Sequence, residues 1–123
     1  MDKKKEEEIK CPLEYGLKIF GGKWDSKVIC VLSECDKLRY GEIRAKVDSI
    51  TDAALGSTLK KLTQDGIVDR IQYNEIPPKV EYSLTDKGKS VVPIIRSICS
   101  WTGVNNKEIF SYCANHNCEA ENK

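Results

Sequence analysis

The sequence contains little of the material from which several kinds of functional site are built. It has one histidine, His116, which leaves almost nothing for histidine-dependent catalysis. Neither a glycine-rich phosphate loop nor a paired-carboxylate pattern is present, and no apolar run approaches the ~20 residues that span a bilayer. The formal net charge is +1, so the excess of positive charge typical of strong nucleic-acid binders is missing. These absences argue against an enzyme and a membrane protein, and any nucleic-acid binding must depend on local charge.

The composition is that of one globular domain in a chain of 123 residues, with 40% hydrophobic and 32% charged residues. Residues 1–10 are highly charged and lack the apolar core of a signal peptide, which predicts a disordered tail and a cytoplasmic protein. Six cysteines could form disulfides. However, Cys30 and Cys99 fall within apolar helical patterns, so most of the six are interpreted as reduced thiols.

Apolar residues at helical spacing predict four short helices in the first half of the chain. Pro12 suits the first turn of the first helix, and Gly21-Gly22 ends it. Thr51 is a suitable N-cap for the fourth helix, and Gly66 ends that helix. The apolar stripes of the four helices are Leu13, Leu17 and Phe20; Trp24, Val28, Val31 and Leu32; Ile43 and Val47; and Leu55, Leu59 and Leu62.

Two β segments, 67–74 and 79–84, follow the four helices. The paired prolines between them are typical of a hairpin tip. A fifth helix begins after Thr85. Short helices followed by a hairpin predict an α+β, mainly helical fold of the winged helix-turn-helix type, in which one helix enters the DNA major groove. The predicted domain covers 11–104, and a C-terminal helix and cysteine-rich tail cover 105–123.

Burial of the three leucines of the fourth helix leaves its opposite face available for DNA. Small residues there let the helix backbone approach base edges, while Ser57 and the lysines can bind bases or phosphates. The helix N-terminus adds N–H groups of its own. An ordinary solvated helix face and surface arginines would give the same pattern; the order of elements favours DNA. The predicted DNA-binding residues are Arg39, Arg44, Thr51, Ala53, Ser57, Lys60, Lys61, Arg70 and Lys79.

The fifth helix is more apolar than one small core requires. Either its stripe covers that core alone, or part of it meets a partner subunit together with the first helix. The second interpretation is favoured because DNA operators suit two-fold symmetric dimers. The predicted dimer-interface residues are Leu13, Leu17, Phe20, Ile94, Ile95, Ile98 and Trp101.

Four stretches in this order resemble the HxlR-type winged helix-turn-helix transcriptional regulators, which are related to the MarR-like group. The resemblance covers about residues 11 to 101 and implies a homodimer that binds specific double-stranded DNA. It also implies a recognition helix over 51–64, a wing over 68–84, and a response to oxidants, electrophiles or metabolites. The four stretches are Cys11-Pro12-Leu13; Gly21-Gly22-Lys23-Trp24; Leu38-Arg39-Tyr40-Gly41-Glu42-Ile43; and Pro77-Pro78-Lys79-Val80-Glu81-Tyr82-Ser83-Leu84-Thr85-Asp86-Lys87-Gly88.

Two features depart from this family pattern. Gly56 stands in the recognition helix where the family usually has a hydroxyl or a bulkier residue, so the resemblance does not imply a target sequence. The segment after Trp101 is unusually rich in cysteine, and the resemblance gives it no role.

Cys11 is the candidate redox sensor. A helix N-terminus and the adjacent Lys10 favour negative charge, and the thiolate is the reactive form of cysteine. Some HxlR-like proteins sense oxidants through a cysteine at this place. The alternative is an inert cysteine kept for packing.

Cys113, His116 and Cys118 are weak metal-ligand candidates. A closed structural zinc site needs four ligands, and their spacing matches no standard zinc finger. A polar tail with incidental thiols is therefore favoured, and neither a metal nor a cofactor is predicted.

Two other classes of function remain open. The first is a winged-helix protein-interaction module without DNA binding, which the small net charge and Gly56 would suit. The second is a thiol-based or metal-dependent redox protein that acts through the cysteine-rich tail. Salt-sensitive binding to duplex DNA separates the proposed regulator from both.

Overall fold

The computed structural model describes residues 11–103, which form five helices and one β-hairpin. This order agrees with the predicted winged helix-turn-helix fold. The predicted tail over 1–10 and the segment over 104–123, with its three metal-ligand candidates, lie outside the described residues. The elements are α1 (Pro12–Phe20), α2 (Asp25–Glu34), α3 (Tyr40–Lys46), α4 (Asp52–Gln64), β1 (Val68–Tyr73), β2 (Lys79–Leu84) and α5 (Asp86–Trp101).

The helix ends lie where the sequence signals place them. Pro12 occupies the first turn of α1, and the N–H of Gly21 closes that helix on the carbonyl of Leu17. The Thr51 hydroxyl accepts a hydrogen bond from Ala54 N at 3.1 Å at the start of α4. Gly66 follows α4 with a positive φ of 77°, which glycine adopts without steric cost. Local chemistry therefore sets the length of the helices.

The hairpin is regular and antiparallel, with Val68 opposite Leu84 at its root and Tyr73 opposite Lys79 near its tip. Leu38, just before α3, forms an isolated antiparallel bridge with Tyr82 of β2 through two backbone hydrogen bonds of 3.0 and 2.8 Å. The sequence patterns indicated an extended link there, without this pairing. The bridge attaches the root of the wing to the helical part of the domain.

One core joins all the elements. α2 lies at its centre and packs against every other helix and β2. The recognition helix contributes the three leucines predicted to point inward. No helix within residues 11–103 combines the length and apolar character needed to cross a membrane. The largest fully buried side chains are Ile29, Leu32, Ile43, Leu55, Leu62, Ile67, Val28, Val31 and Val68.

Candidate nucleic-acid interface

The outer face of α4 is an exposed strip that the core does not use. Ala53, Ser57 and Lys60 are exposed on it, and Gln64 continues the strip at the next helical position. Lys60 makes no ion pair with any residue in the range 11–103. The strip therefore offers one hydroxyl, one amide and one uncompensated cation to a ligand.

Gly56 lies beside this strip for a reason that the fold does not supply. A Cβ at this position would meet only the Tyr40 hydroxyl, at 3.8 Å, which is an ordinary contact. Glycine within a helix costs about 1 kcal/mol relative to alanine. Packing inside the domain does not require that cost, whereas close approach of the helix backbone to another molecule would benefit from it.

A cleft of about 300 Å³ separates α4 from the wing. Leu59 and Tyr82 contribute its apolar lining, while Lys60 of α4 and Arg70 of β1 also line it. Arg70 is exposed and donates a 3.4 Å hydrogen bond to Gln72. Two cations from different elements thus lie around one cleft, an arrangement that suits an anionic ligand.

The start of α4 is held by α3. The Tyr40 hydroxyl donates to the carbonyl of Asp52 at 2.9 Å, and Arg44 Nε lies 2.7 Å from Asp52 Oδ1. Desolvation raises the pKa of the Tyr40 phenol and the Asp52 carboxylate raises it further, while Arg44 lowers it. Tyr40 therefore remains a hydrogen-bond donor at neutral pH, and Arg44 is engaged by Asp52.

Lys61 has a different role from the expected one. Its ammonium lies 3.0 Å from the carbonyl oxygen of Ile19 and 3.2 Å from Asp25 Oδ2. Its side chain points to the corner between α1 and α2, because residue 61 lies on the flank of α4 rather than on its outer strip. The expectation that Lys61 serves phosphates is corrected accordingly.

The other predicted DNA-binding residues differ in availability. Arg39 is exposed at the start of α3, where its backbone N–H donates to Glu42. Thr51 is exposed, but its oxygen already caps α4. Lys79 is half-buried and lies over the Tyr73 ring, 3.9 Å from Glu81 Oε2. The structure thus brings Lys60 and Arg70 together and leaves Lys79 held within the hairpin.

A second exposed surface, the apolar face, lies on α1 and α5. Trp101 is 84% exposed, and Leu13, Leu17, Ile94 and Ile98 are exposed as well. Two residues predicted for this surface do not lie on it. Ile95 is only 5% exposed and belongs to the core, and Phe20 is half-buried against the core. Both positions are on the inner sides of their helices, which the apolar pattern alone did not distinguish from the outer sides.

Cys11 is exposed and directly precedes α1. Within residues 11–103, Cys11, Cys30, Cys35 and Cys99 form no disulfide. Among the same residues, no cluster of three or more histidine, cysteine or acidic side chains could hold a metal. Cys11 therefore places an accessible thiol at the end of the helix that carries Leu13 and Leu17.

Thr63 and Gln64 were missed from the sequence. Both line the cleft between α4 and the wing. Gln64 lies four residues beyond Lys60, so helical spacing alone could have placed it on the outer strip. Thr63 gives no such signal, because its place at the cleft depends on where the hairpin packs.

Comparison with known proteins identifies the family. Residues 19–109 match the HxlR-like helix-turn-helix family. An HTH-type transcriptional regulator from Methanothermobacter thermautotrophicus is 44% identical over 96 residues, which cover 78% of this chain and 72% of that protein. The structure of the oxidised redox regulator HypR is similar, with a TM-score of 0.71 and 40% identity over 78% of this chain and 98% of that one.

A further solved structure, the reduced transcriptional regulator YodB from B. subtilis, has a TM-score of 0.67 and 33% identity. The match covers 74% of this chain and 89% of that one. The similarity therefore extends over the helices and the wing together. The chain belongs to the HxlR-like helix-turn-helix family of transcriptional regulators.

Proposed function

We propose that this protein is a homodimeric transcriptional regulator that binds a specific double-stranded DNA sequence through α4 and the wing. The observation that carries the proposal is the cleft between α4 and the wing, lined by Lys60 and Arg70. Such a pair of cations suits phosphates of the DNA backbone, while the outer strip of α4 enters the major groove.

Specific reading is assigned to the small outer strip of α4. Ser57 can donate or accept a hydrogen bond at a base edge, and Ala53 can contact a thymine methyl group. Gly56 beside them permits the close approach that such contacts require. Arg39 and Arg44 are the further phosphate ligands of this proposal, with Arg44 exchanging its Asp52 partner for DNA.

The apolar face on α1 and α5 is assigned to a second copy of the chain. Exposed apolar surface of this kind marks an interface, and Trp101 is a residue type that dominates such contacts. A two-fold dimer places two copies of α4 on successive turns of one duplex face. This proposal predicts a palindromic operator.

Redox control is assigned to Cys11. Hydrogen peroxide would oxidise its thiol to a sulfenic acid and would itself be reduced to water. Because Cys11 lies beside the proposed interface, a modified side chain there changes the position of α1 and thus the spacing of the recognition helices. The similarity to the redox regulator HypR supports this assignment.

The test is an electrophoretic shift with the DNA upstream of the protein's own gene and an unrelated duplex of the same length. We expect a preference for the upstream DNA and weaker binding as salt rises, because phosphate contacts release counterions. Absence of DNA binding at every salt concentration would overturn the proposal and favour a protein-interaction module.

Peroxide treatment of the parent protein and of Cys11→Ser tests the redox assignment. We expect peroxide to change the shift of the parent protein and to leave that of Cys11→Ser unchanged. Cys99→Ser, also on a helix of the described domain, is the matched control and should respond as the parent does. An equal response from Cys11→Ser and the parent would rule out Cys11 as the sensor.

A further inference from the structure

One side chain of the recognition helix reaches the corner between α1 and α2. The ammonium of Lys61 lies 3.0 Å from the carbonyl oxygen of Ile19, in the last turn of α1, and 3.2 Å from Oδ2 of Asp25, the first residue of α2. It also lies 3.4 Å from Asp65 Oδ2. An ammonium has three donor hydrogens, so all three contacts can be made at once. One lysine therefore connects α4 to two other helices.

The corner is shaped to hold the negative partner of this lysine. Asp25 is only 5% exposed, and its Oδ2 also accepts a hydrogen bond from Gly22 N at 3.0 Å. A Cβ on residue 22 would lie 2.5 Å from that oxygen, so glycine is needed for the carboxylate to sit there. Burying a carboxylate is costly unless a counter-charge accompanies it. Lys61 supplies that charge from the recognition helix.

Building on the proposed DNA binding, we infer that Lys61 is a positioning residue that couples the recognition helix to α1. It binds no phosphate. It fixes α4 against the helix that carries Leu13 and Leu17 of the apolar face, so the two recognition helices of a dimer keep a set separation. Half-sites one helical turn apart tolerate little error in that separation.

Neighbouring lysines provide a matched test on the same helix. Lys60→Met and Lys61→Met each remove one positive charge, and both proteins are titrated with operator duplex over a series of salt concentrations. For Lys60→Met, we expect the slope of log affinity against log salt to become shallower by about 0.9, as for one lost phosphate contact. For Lys61→Met, we expect affinity to fall about 10-fold with the slope unchanged, because a charged hydrogen bond that orients the helix is lost.

Folding is checked by circular dichroism and thermal unfolding, with affinities measured well below each midpoint. If Lys61→Met does not fold, Asp25→Asn replaces it, since its amide oxygen can still accept from Gly22 N. We expect Asp25→Asn to lower affinity with the same unchanged slope. Where both variants fold, the double variant should be no weaker than Lys61→Met alone, because both changes break the same contact.

The possible results separate this inference from the proposed function. A shallower salt slope for Lys61→Met, of the size seen for Lys60→Met, would make Lys61 a phosphate ligand and overturn the inference. Unchanged affinity of folded Lys61→Met would show a purely structural contact and would overturn it as well. If the parent protein shows no salt-dependent DNA binding, the proposed function fails first, and the inference fails with it.

Discussion

The outer strip of α4 and the apolar face differ in chemistry, although both lie on helices that supply the same core. On α4, the exposed side opposite the buried leucines is small and polar, with Ser57 and Lys60. On α5, Ile95 is buried while Ile94 and Ile98 are exposed on the adjacent side. A helix with apolar residues on more than one side is covered on more than one side. The two surfaces therefore suit different partners, nucleic acid for the first and another subunit for the second.

Breaking the apolar face should give the largest effect. Ile98→Asp places a charge where we expect a partner subunit, so the protein should become monomeric by analytical ultracentrifugation. Its operator affinity should then fall roughly 100-fold or more, because binding to two half-sites at once is lost. Ser100→Asp, at an exposed position on another side of α5, is the control and should stay dimeric. A monomeric parent protein, or a dimeric Ile98→Asp, would contradict the assignment of this face.

Removing charge from the cleft beside α4 should give a smaller effect of a different kind. Arg70→Met should weaken operator binding about 5- to 10-fold and make the salt slope shallower by about 0.9, since one phosphate contact is lost. Binding to unrelated duplex should weaken by the same factor, because phosphates carry no sequence information. Arg96→Met on α5 is the control and should bind DNA as the parent does. A slope equal to that of the parent would remove Arg70 from the interface.

The smallest effect is expected on the outer strip itself. Ser57→Ala should lower operator affinity about 5-fold, the size of one hydrogen bond, and leave both the salt slope and binding to unrelated duplex unchanged. Competition titrations with the two duplexes measure the ratio directly. Ser100→Ala should preserve that ratio. An equal loss on both duplexes would make Ser57 a phosphate ligand rather than a base-reading residue.

Local patterns predicted most of the fold. The leucines of α4 and the signals at Pro12, Thr51 and Gly66 depend on neighbours in sequence, and the structure agrees with them. The family resemblance predicted from those residues is confirmed by the match over 19–109. Secondary structure could be read because its causes lie within one turn of helix or one hairpin.

The details of the two surfaces were less accessible. Lys60 and Lys61 are adjacent lysines on one helix, and only the position of Asp25, far away in sequence, distinguishes an exposed cation from one bound inside the fold. Ile94 and Ile95 present the same difficulty on α5. Side chains on the flank of a helix are assigned to core or surface by tertiary packing, which periodicity does not contain.

The attachment of the wing at its root sets a limit on which DNA the protein accepts. Leu38 pairs with Tyr82, and the Thr85 hydroxyl donates to the carbonyl of Gly66 at 2.6 Å, so β2 is bonded both to the segment before α3 and to the end of α4. The distance from Lys60 to Arg70 then follows from the fold and adjusts little to the ligand. A duplex must bring its own groove width and backbone curvature to that fixed distance. Base pairs that the protein never touches would therefore influence affinity through the stiffness of the DNA.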